Sequence, residues 1–183
     1  FRDPNDTTTL NNDFTHFVGP AGYRWRPLVN GPLDLRIGGA FFNYYEEDGT
    51  TINEDPQDDQ AYLQGAMAAF AAIGGGACHW PDKTAYMVMV VGPSGFSAPN
   101  EYGINIPSNT SIHCTKNSAV FVAGSSVKGY RAIISVDTAD CYLGPLTVYG
   151  ERSRHLVAND GFMFGMNVAL LGVSRWPVDR LTS

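Results

Sequence analysis

Short apolar stretches separated by Gly, Asn, Asp and Ser fill residues 101–176, and one stretch can be laid over a later one. Three apolar positions recur at a constant offset of 27 residues, the first set being Cys141, Leu143 and Leu146 and the second Val168, Leu170 and Val173. Self-similarity at a spacing of roughly 20–50 residues is typical of solenoids, in which each unit buries its apolar face only against its neighbours. The pattern predicts stacked strand–turn units that need a cap at each end.

The chain offers a candidate for only one of these caps. A helix is predicted after Asp58 or Asp59, either of which can cap its N-terminus, and before the glycine run 74–76. Its apolar residues fall at i, i+3, i+4 and i+7, namely Leu63, Ala66, Met67 and Phe70. Such a helix is suited to cover the first end of the stack. Because the sequence stops at Ser183 within a unit, we expect the stack to continue beyond it.

The remaining elements are predicted to be strands, which indicates an all-β fold with mainly parallel strands. Residues 1–32, rich in Pro, Gly, Asn and Thr, are predicted to be an extended leader or linker, and 33–183 the β domain. This pattern excludes an ordinary α/β domain and leaves a sandwich, a barrel or a β-solenoid, of which the 27-residue offset favours the solenoid. The predicted strands are 33–37, 77–80, 86–91, 103–106, 111–114, 119–123, 131–136, 142–149, 162–166 and 168–173.

Composition excludes several partners. The 183 residues are 44% hydrophobic, which is enough for a sizeable core. The formal net charge is −6 and the 12 Lys and Arg residues are scattered, so we expect no nucleic-acid partner. No apolar run approaches the roughly 18 residues of a membrane span, and no membrane insertion is expected.

The cysteines and histidines are the candidate metal ligands in the sequence. Cys78, Cys114 and Cys141 lie in apolar strand contexts and are predicted to be buried, reduced thiols. Neighbours along a strand point to opposite faces, so Cys78 with His79, or His113 with Cys114, cannot chelate one ion. We expect no metal site and no other cofactor.

Several motifs resemble a known superfamily. They are the run 33–40 (LDLRIGGA), the turn Asp48-Gly49, the pair Asp58-Asp59, the segment 63–66 (LQGA), the glycines 74–76, Trp80-Pro81 with Tyr86, and the stretch 104–112 (INIPSNTSI). Together they look like the opening of pectate-lyase-like right-handed β-helices, and most like bacteriophage tailspikes and tail-associated polysaccharide depolymerases. The resemblance implies a right-handed parallel β-helix with one N-terminal capping α-helix, forming the N-terminal portion of a tailspike-type protein.

The resemblance also implies a function. Such a protein would be a homotrimer in the virion tail, or otherwise extracellular, would contact other tail proteins, and would bind and degrade bacterial capsular or O-antigen polysaccharide. The parent would be a glycoside hydrolase or a polysaccharide lyase whose catalytic groups lie beyond Ser183, so this segment alone would be inactive. The alternatives are a noncatalytic virion-attachment or adhesin module, and part of a lyase or epimerase.

Candidate catalytic residues within the chain follow from the chemistry. Glycan hydrolysis needs two carboxylates, and Asp137 and Asp140 flank one turn while Asp160 lies near the corresponding turn of the next unit. Aspartates are also common in turns because they bond nearby backbone amides. Lyase chemistry would draw on 151–155 (ERSRH), which can equally be a solvated loop. Aromatic side chains that could stack on sugars or within the coils are Tyr44, Tyr45, Tyr102, Tyr130, Tyr142 and Tyr149.

Overall fold

The computed structural model describes residues 2–3, 11, 14–19, 22–26, 31–88, 102–123, 132–136, 140–150, 166–170 and 181–182. The described chain is mainly β, with short, mostly parallel strands in several sheets and one α-helix. The strands are β1 Arg2–Asp3, β2 Phe17–Val18, β3 Arg24–Trp25, β4 Leu33–Asp34, β5 Gly76–His79, β6 Thr84–Val88, β7 Tyr102–Ile106, β8 Thr110–His113, β9 Ala119–Ala123, β10 Ala132–Val136, β11 Tyr142–Leu143, β12 Leu146–Gly150, β13 Met166–Leu170 and β14 Leu181–Thr182. The α-helix, α1, spans Gln60–Ala72, and a 3-10 helix spans Leu35–Gly38.

Three sheets of the described chain are parallel throughout. Their strand orders are β11–β8–β5–β4 (sheet 1), β14–β12–β9–β6 (sheet 2) and β13–β10–β7 (sheet 3), while β1, β3 and β2 form a small antiparallel sheet. From β5 to β13, consecutive strands enter sheets 1, 2 and 3 in the same repeating order. From β5 onward, paired strands are offset by 28 to 35 residues.

The predicted 27-residue offset is therefore wrong. Leu143 pairs with Ile112 in sheet 1, whereas Leu170, which the offset matches to Leu143, pairs with Val136 in sheet 3. The apparent match arises because short apolar stretches of similar composition occur in all three sheets.

One core lies between the three sheets. Inward-facing side chains of neighbouring strands stand in register, and burial of each such aliphatic side chain stabilises the fold by about 1.5–3 kcal/mol. These buried sets are Cys78, Ile112 and Leu143 in sheet 1, Ala85, Val120 and Val148 in sheet 2, and Ile104 with Ile134 and Ile106 with Val136 in sheet 3.

The helix prediction is confirmed. All four residues of the predicted apolar stripe are buried. Asp58 accepts a hydrogen bond from the Gln60 N–H at 3.0 Å, close to the N-terminus of α1. Phe70 packs edge-on against Phe14 with ring centroids 5.2 Å apart, which joins the helix to the segment before β2.

The edge strands β6 and β7 are covered by the chain that precedes them. Gln64 of α1 donates to the Gly103 carbonyl of β7 at 2.9 Å. The β6 amides of Tyr86 and Val88 donate to the carboxylates of Asp59 (3.2 Å) and Asp58 (3.0 Å). An uncovered edge is a template for unwanted pairing, and these contacts occupy part of it.

Most predicted strands are confirmed, with shifts at their ends. The predicted strand 33–37 is only β4, because the Asp34 carboxylate accepts the Arg36 N–H at 2.9 Å and caps the start of the 3-10 helix. Gly39, with a φ of +92°, follows the last residue of that helix. The predicted strand 142–149 is divided at Gly144-Pro145 into β11 and β12. β13 runs through the predicted break at Asn167.

Candidate functional site

A groove of about 580 Å³ runs beside sheet 2. One wall is the hairpin 43–53, which contributes Glu46 and Glu47. The opposite wall combines β12 with the turns that precede β6 and β9, and it contributes Asp82, Lys83, Lys116 and Tyr149. Residues far apart in sequence therefore meet at one surface.

The hairpin wall is held in shape by backbone and carboxylate hydrogen bonds. Glu46 donates its N–H to the Thr51 carbonyl at 2.8 Å, and Tyr45 forms an antiparallel bridge with Ile52. At the tip, Asp48 accepts the N–H groups of Thr50 and Thr51, both at 2.8 Å, and the Thr51 hydroxyl at 2.6 Å. This turn presents the two glutamates to the groove.

The Asp48 carboxyl group provides a direct test of the hairpin. The hydrogen bond from the Thr51 hydroxyl, followed by those from the backbone amides, lowers the pKa of Asp48 to about 2. A depressed folded pKa means that the stabilising contribution is present above the unfolded value of about 3.9 and is lost as pH falls through the folded value. We expect Thr51→Val to raise the Asp48 pKa toward its ordinary value, as measured by carboxyl-carbon NMR titration. Thr51→Ser, which keeps the hydroxyl, should retain the low pKa; an unchanged pKa in Thr51→Val would contradict the assignment.

The opposite wall is built from two turns that bond to each other. Asp82 accepts hydrogen bonds from the Thr115 hydroxyl and from the Asn117 amide at 2.9 Å, and these hydrogen bonds lower the pKa of Asp82. Beneath them, buried Ser118 accepts the Thr115 N–H at 2.9 Å and donates to the Pro81 carbonyl at 3.1 Å. Asp82 is therefore an ionised carboxylate held in place by the following turn.

Charges of both signs line the groove. Glu46 and Glu47 lie on the hairpin, and Lys83 and Lys116 extend from the two bonded turns. Within the described part of the chain neither lysine forms an ion pair, and both are exposed. The groove therefore offers hydrogen-bond acceptors on one side and charged donors on the other.

An aromatic surface continues the groove along sheet 2. Tyr86, Phe121 and Tyr149 occupy the same register position on β6, β9 and β12. Tyr44 stacks on Phe121 with centroids 4.4 Å apart and planes 12° apart, and lies 6.0 Å from Tyr86. Tyr149 is 50% exposed, and Tyr45 also lines the groove, packed edge-on against Tyr44 at 4.9 Å. Tyr149 is thus an accessible ring at the end of an ordered aromatic row.

Of the three predicted catalytic aspartates, one lies within the residues that the structure describes. Asp140 is exposed, has a left-handed φ of +63° just before β11, and does not line the groove. Asp137, Asp160 and the segment 151–155 lie outside the described residues, so their catalytic role stays a prediction.

The predicted aromatic candidates divide into two groups. Tyr45 and Tyr149 line the groove, whereas Tyr44 is buried in the stack and Tyr142 packs beside His113 with ring centroids 5.4 Å apart. The side chains of Tyr102 and Tyr130 lie outside the described residues.

Sequence reasoning missed the charged groove residues Glu46, Glu47, Asp82, Lys83 and Lys116. They lie in three segments that are far apart in the sequence, and nothing in the composition of those segments indicates that they meet. The usable signal is the strand register, since β6 and β9 pair at an offset of 35 residues and so place the turns before them side by side.

The predicted burial is confirmed for Cys78 and Cys141, whereas Cys114 is partly buried. None of the three forms a disulfide within the described residues. Burial raises the pKa of Cys78, and it raises that of Cys114 to about 12, so neither is a reactive thiolate at neutral pH. Among the described residues, no group of three or more His, Cys, Asp or Glu side chains is arranged to hold a metal ion. No helix in the described ranges is long and apolar enough to cross a membrane.

Comparison of the chain with protein-family models, with curated proteins and with solved structures gave no match.

Proposed function

We propose that the chain forms the first coils of a right-handed parallel β-helix in a tailspike-type protein that binds and degrades bacterial surface polysaccharide. What supports the fold is the order of the strands. Sheets 1, 2 and 3 are entered in rotation, every pairing within them is parallel, and one core lies between them. A ribbon wound in successive coils has these three properties.

The covered edges support the position of these coils at the start of the helix. β6 and β7 are the first strands of their sheets, and both are bonded by side chains from residues 58–64. In this proposal α1 and the segment before it form the N-terminal cap, and later coils would add strands to the other edges of the sheets.

The groove supports polysaccharide as the ligand. Sugars present a flat apolar face and a rim of hydroxyl groups, so they suit an exposed aromatic ring with hydrogen-bonding groups around it. Tyr149 supplies the ring, Lys83 and Lys116 supply donors on the same wall, and Glu46 and Glu47 supply acceptors on the opposite wall. The exposed Tyr149 ring in a groove lined by charges of both signs is the observation that carries the proposal.

One observation favours the noncatalytic adhesin as a second candidate. Both oxygens of Asp82 are bonded, one by Thr115 and the other by Asn117, which favours a structural carboxylate over a nucleophile or base. A structural Asp82 is consistent with a protein that binds glycan in this groove and either cleaves it elsewhere or does not cleave it.

We expect Tyr149→Ala to weaken the binding of capsular or O-antigen oligosaccharides about tenfold, the equivalent of one stacking contact of about 1.4 kcal/mol. Isothermal titration calorimetry with fragments of host polysaccharide measures this change. Tyr62→Ala is the matched control, because Tyr62 is 40% exposed on α1 and does not line the groove.

Equal affinity in Tyr149→Ala and the wild type, or an equal loss in Tyr62→Ala, would rule out the groove as the binding site. Reducing-end and unsaturated-uronate assays on the same fragments separate a hydrolase, a lyase and a binder.

A further inference from the structure

Two histidines stand side by side on the outer face of sheet 1. His79 of β5 and His113 of β8 are register partners, and Asp34 of β4 is the register partner of His79 on its other side. The residues just before the histidines, Cys78 and Ile112, point into the core. Because side chains alternate along a strand, both imidazoles lie on the face turned away from the core.

The spacing suits one shared metal ion. Neighbouring strands lie about 4.8 Å apart, so register partners on one face bring their side chains together. Two imidazole nitrogens that each lie about 2.0–2.1 Å from one zinc ion need to approach to within roughly 4 Å of each other. Rotation about the side-chain torsions of two partly or fully exposed histidines provides that approach.

We propose that His79 and His113 form a surface site for a divalent transition-metal ion of the zinc, nickel or copper class. Imidazole is the commonest protein ligand for these ions, whereas magnesium and calcium prefer oxygen. The two histidines supply two ligands, and water completes the coordination. The site is independent of the groove, which lies beside sheet 2.

The groups beside the histidines leave them as the only donors at this position. Arg36 holds both Asp34 oxygens, with Nε at 2.9 Å from Oδ1 and Nη2 at 2.6 Å from Oδ2. The Asp34 charge is therefore balanced by Arg36, and the carboxylate is occupied, so the two imidazoles supply the protein ligands. On the other side the Tyr142 ring lies 5.4 Å from the His113 ring.

Neighbours along one strand point to opposite faces, so Cys78 with His79, or His113 with Cys114, cannot share one ion. His79 and His113 are 34 residues apart and meet through the register of β5 with β8. Pairing across strands therefore places two imidazoles on one face of the sheet, which adjacent positions along one strand cannot do.

The test uses the full chain with zinc, nickel and magnesium salts, each titrated alone by calorimetry and followed by thermal unfolding. We expect one equivalent of zinc or nickel to bind and to raise Tm by mass action, and magnesium to have no effect. His79→Gln and His113→Gln should each weaken zinc binding at least about 10-fold, the smallest loss seen when even an outer-shell partner of a ligand is removed.

His155→Gln is the matched control and should bind as the wild type does. His113 is exposed, so His113→Gln should keep the wild-type circular dichroism spectrum. Nickel should broaden the imidazole NMR signals of His79 and His113 in the unaltered protein. No zinc binding, binding unchanged in a folded His113→Gln, or binding lost in His155→Gln would each overturn the proposal.

Discussion

Asp59→Ala is expected to lower the free energy of unfolding by about 4 kcal/mol, because it leaves three buried or partly buried amides without their acceptor. The Asp59 side chain is fully buried before α1. Its carboxylate accepts the N–H groups of Phe41 at 2.5 Å, of Phe42 at 3.1 Å and of Tyr86 at 3.2 Å. A methyl group replaces none of these bonds.

The ionisation of Asp59 makes the stability of the protein depend on pH. Burial raises the pKa of Asp59, and the hydrogen bonds from Phe41, Tyr86 and Phe42 oppose that rise. With the folded pKa above the unfolded value of about 3.9, the proton-linked part of the stability is fully present below that value and declines as pH rises through the folded pKa. The hydrogen bonds that the carboxylate accepts remain at neutral pH. Asp59→Asn removes this titration and keeps one acceptor oxygen, so its loss of stability should be smaller than that of Asp59→Ala.

Urea denaturation of the variants at neutral pH measures these differences. Asp55→Ala is the control, since Asp55 is exposed in the same acidic segment and should change stability by less than about 0.5 kcal/mol. A loss below about 1 kcal/mol in Asp59→Ala would mean that water satisfies the three amides, and the proposed role of Asp59 in capping β6 would fail.

Asp59 also shows how much of the fold could be predicted from the sequence. The helix could be located because its signals are local: an aspartate pair before it, an apolar stripe along it and glycines after it. The partners of the Asp59 carboxylate could not, because Phe41 and Tyr86 lie 18 and 27 residues away and reach it through the packing of separate segments.

For the strands too, position along the chain could be predicted, whereas pairing could not. The bounds of β9 are those that the sequence predicts. β7 and β10 differ from the prediction by one residue at one end, and β5 and β8 by one residue at each end, since apolar patterning and turn residues are local properties. Register is a property of paired strands, and the number of residues that separates paired strands varies with the length of the connecting turns. The groove residues Asp82 and Lys116, and the pair His79 and His113, become neighbours only once the register is known.

Gly75→Ala is expected to destabilise the protein by about 3 kcal/mol, of which backbone strain and overpacking each supply roughly 1–2 kcal/mol. Gly75 has a φ of +118°, a conformation that side chains other than glycine rarely adopt. A Cβ atom there would lie 2.4 Å from the Asn109 carbonyl oxygen, which itself accepts the Gly76 N–H at 3.1 Å. The substitution therefore disturbs the contact that joins the end of α1 to β5 and to the turn before β8.

Gly65→Ala makes the same chemical change at a position where neither backbone strain nor overpacking is expected. Gly65 lies within α1, and a Cβ atom there meets nothing within 4 Å. Alanine at this exposed helical position should stabilise the protein by about 0.5–1 kcal/mol through its higher helix propensity. Thermal and urea unfolding of the two variants should thus move in opposite directions from the wild type. If Gly75→Ala were as stable as the wild type while Gly65→Ala gained stability, the close packing of the helix end against the turn at Asn109 would be wrong, and the proposal that α1 forms an N-terminal cap would lose its support.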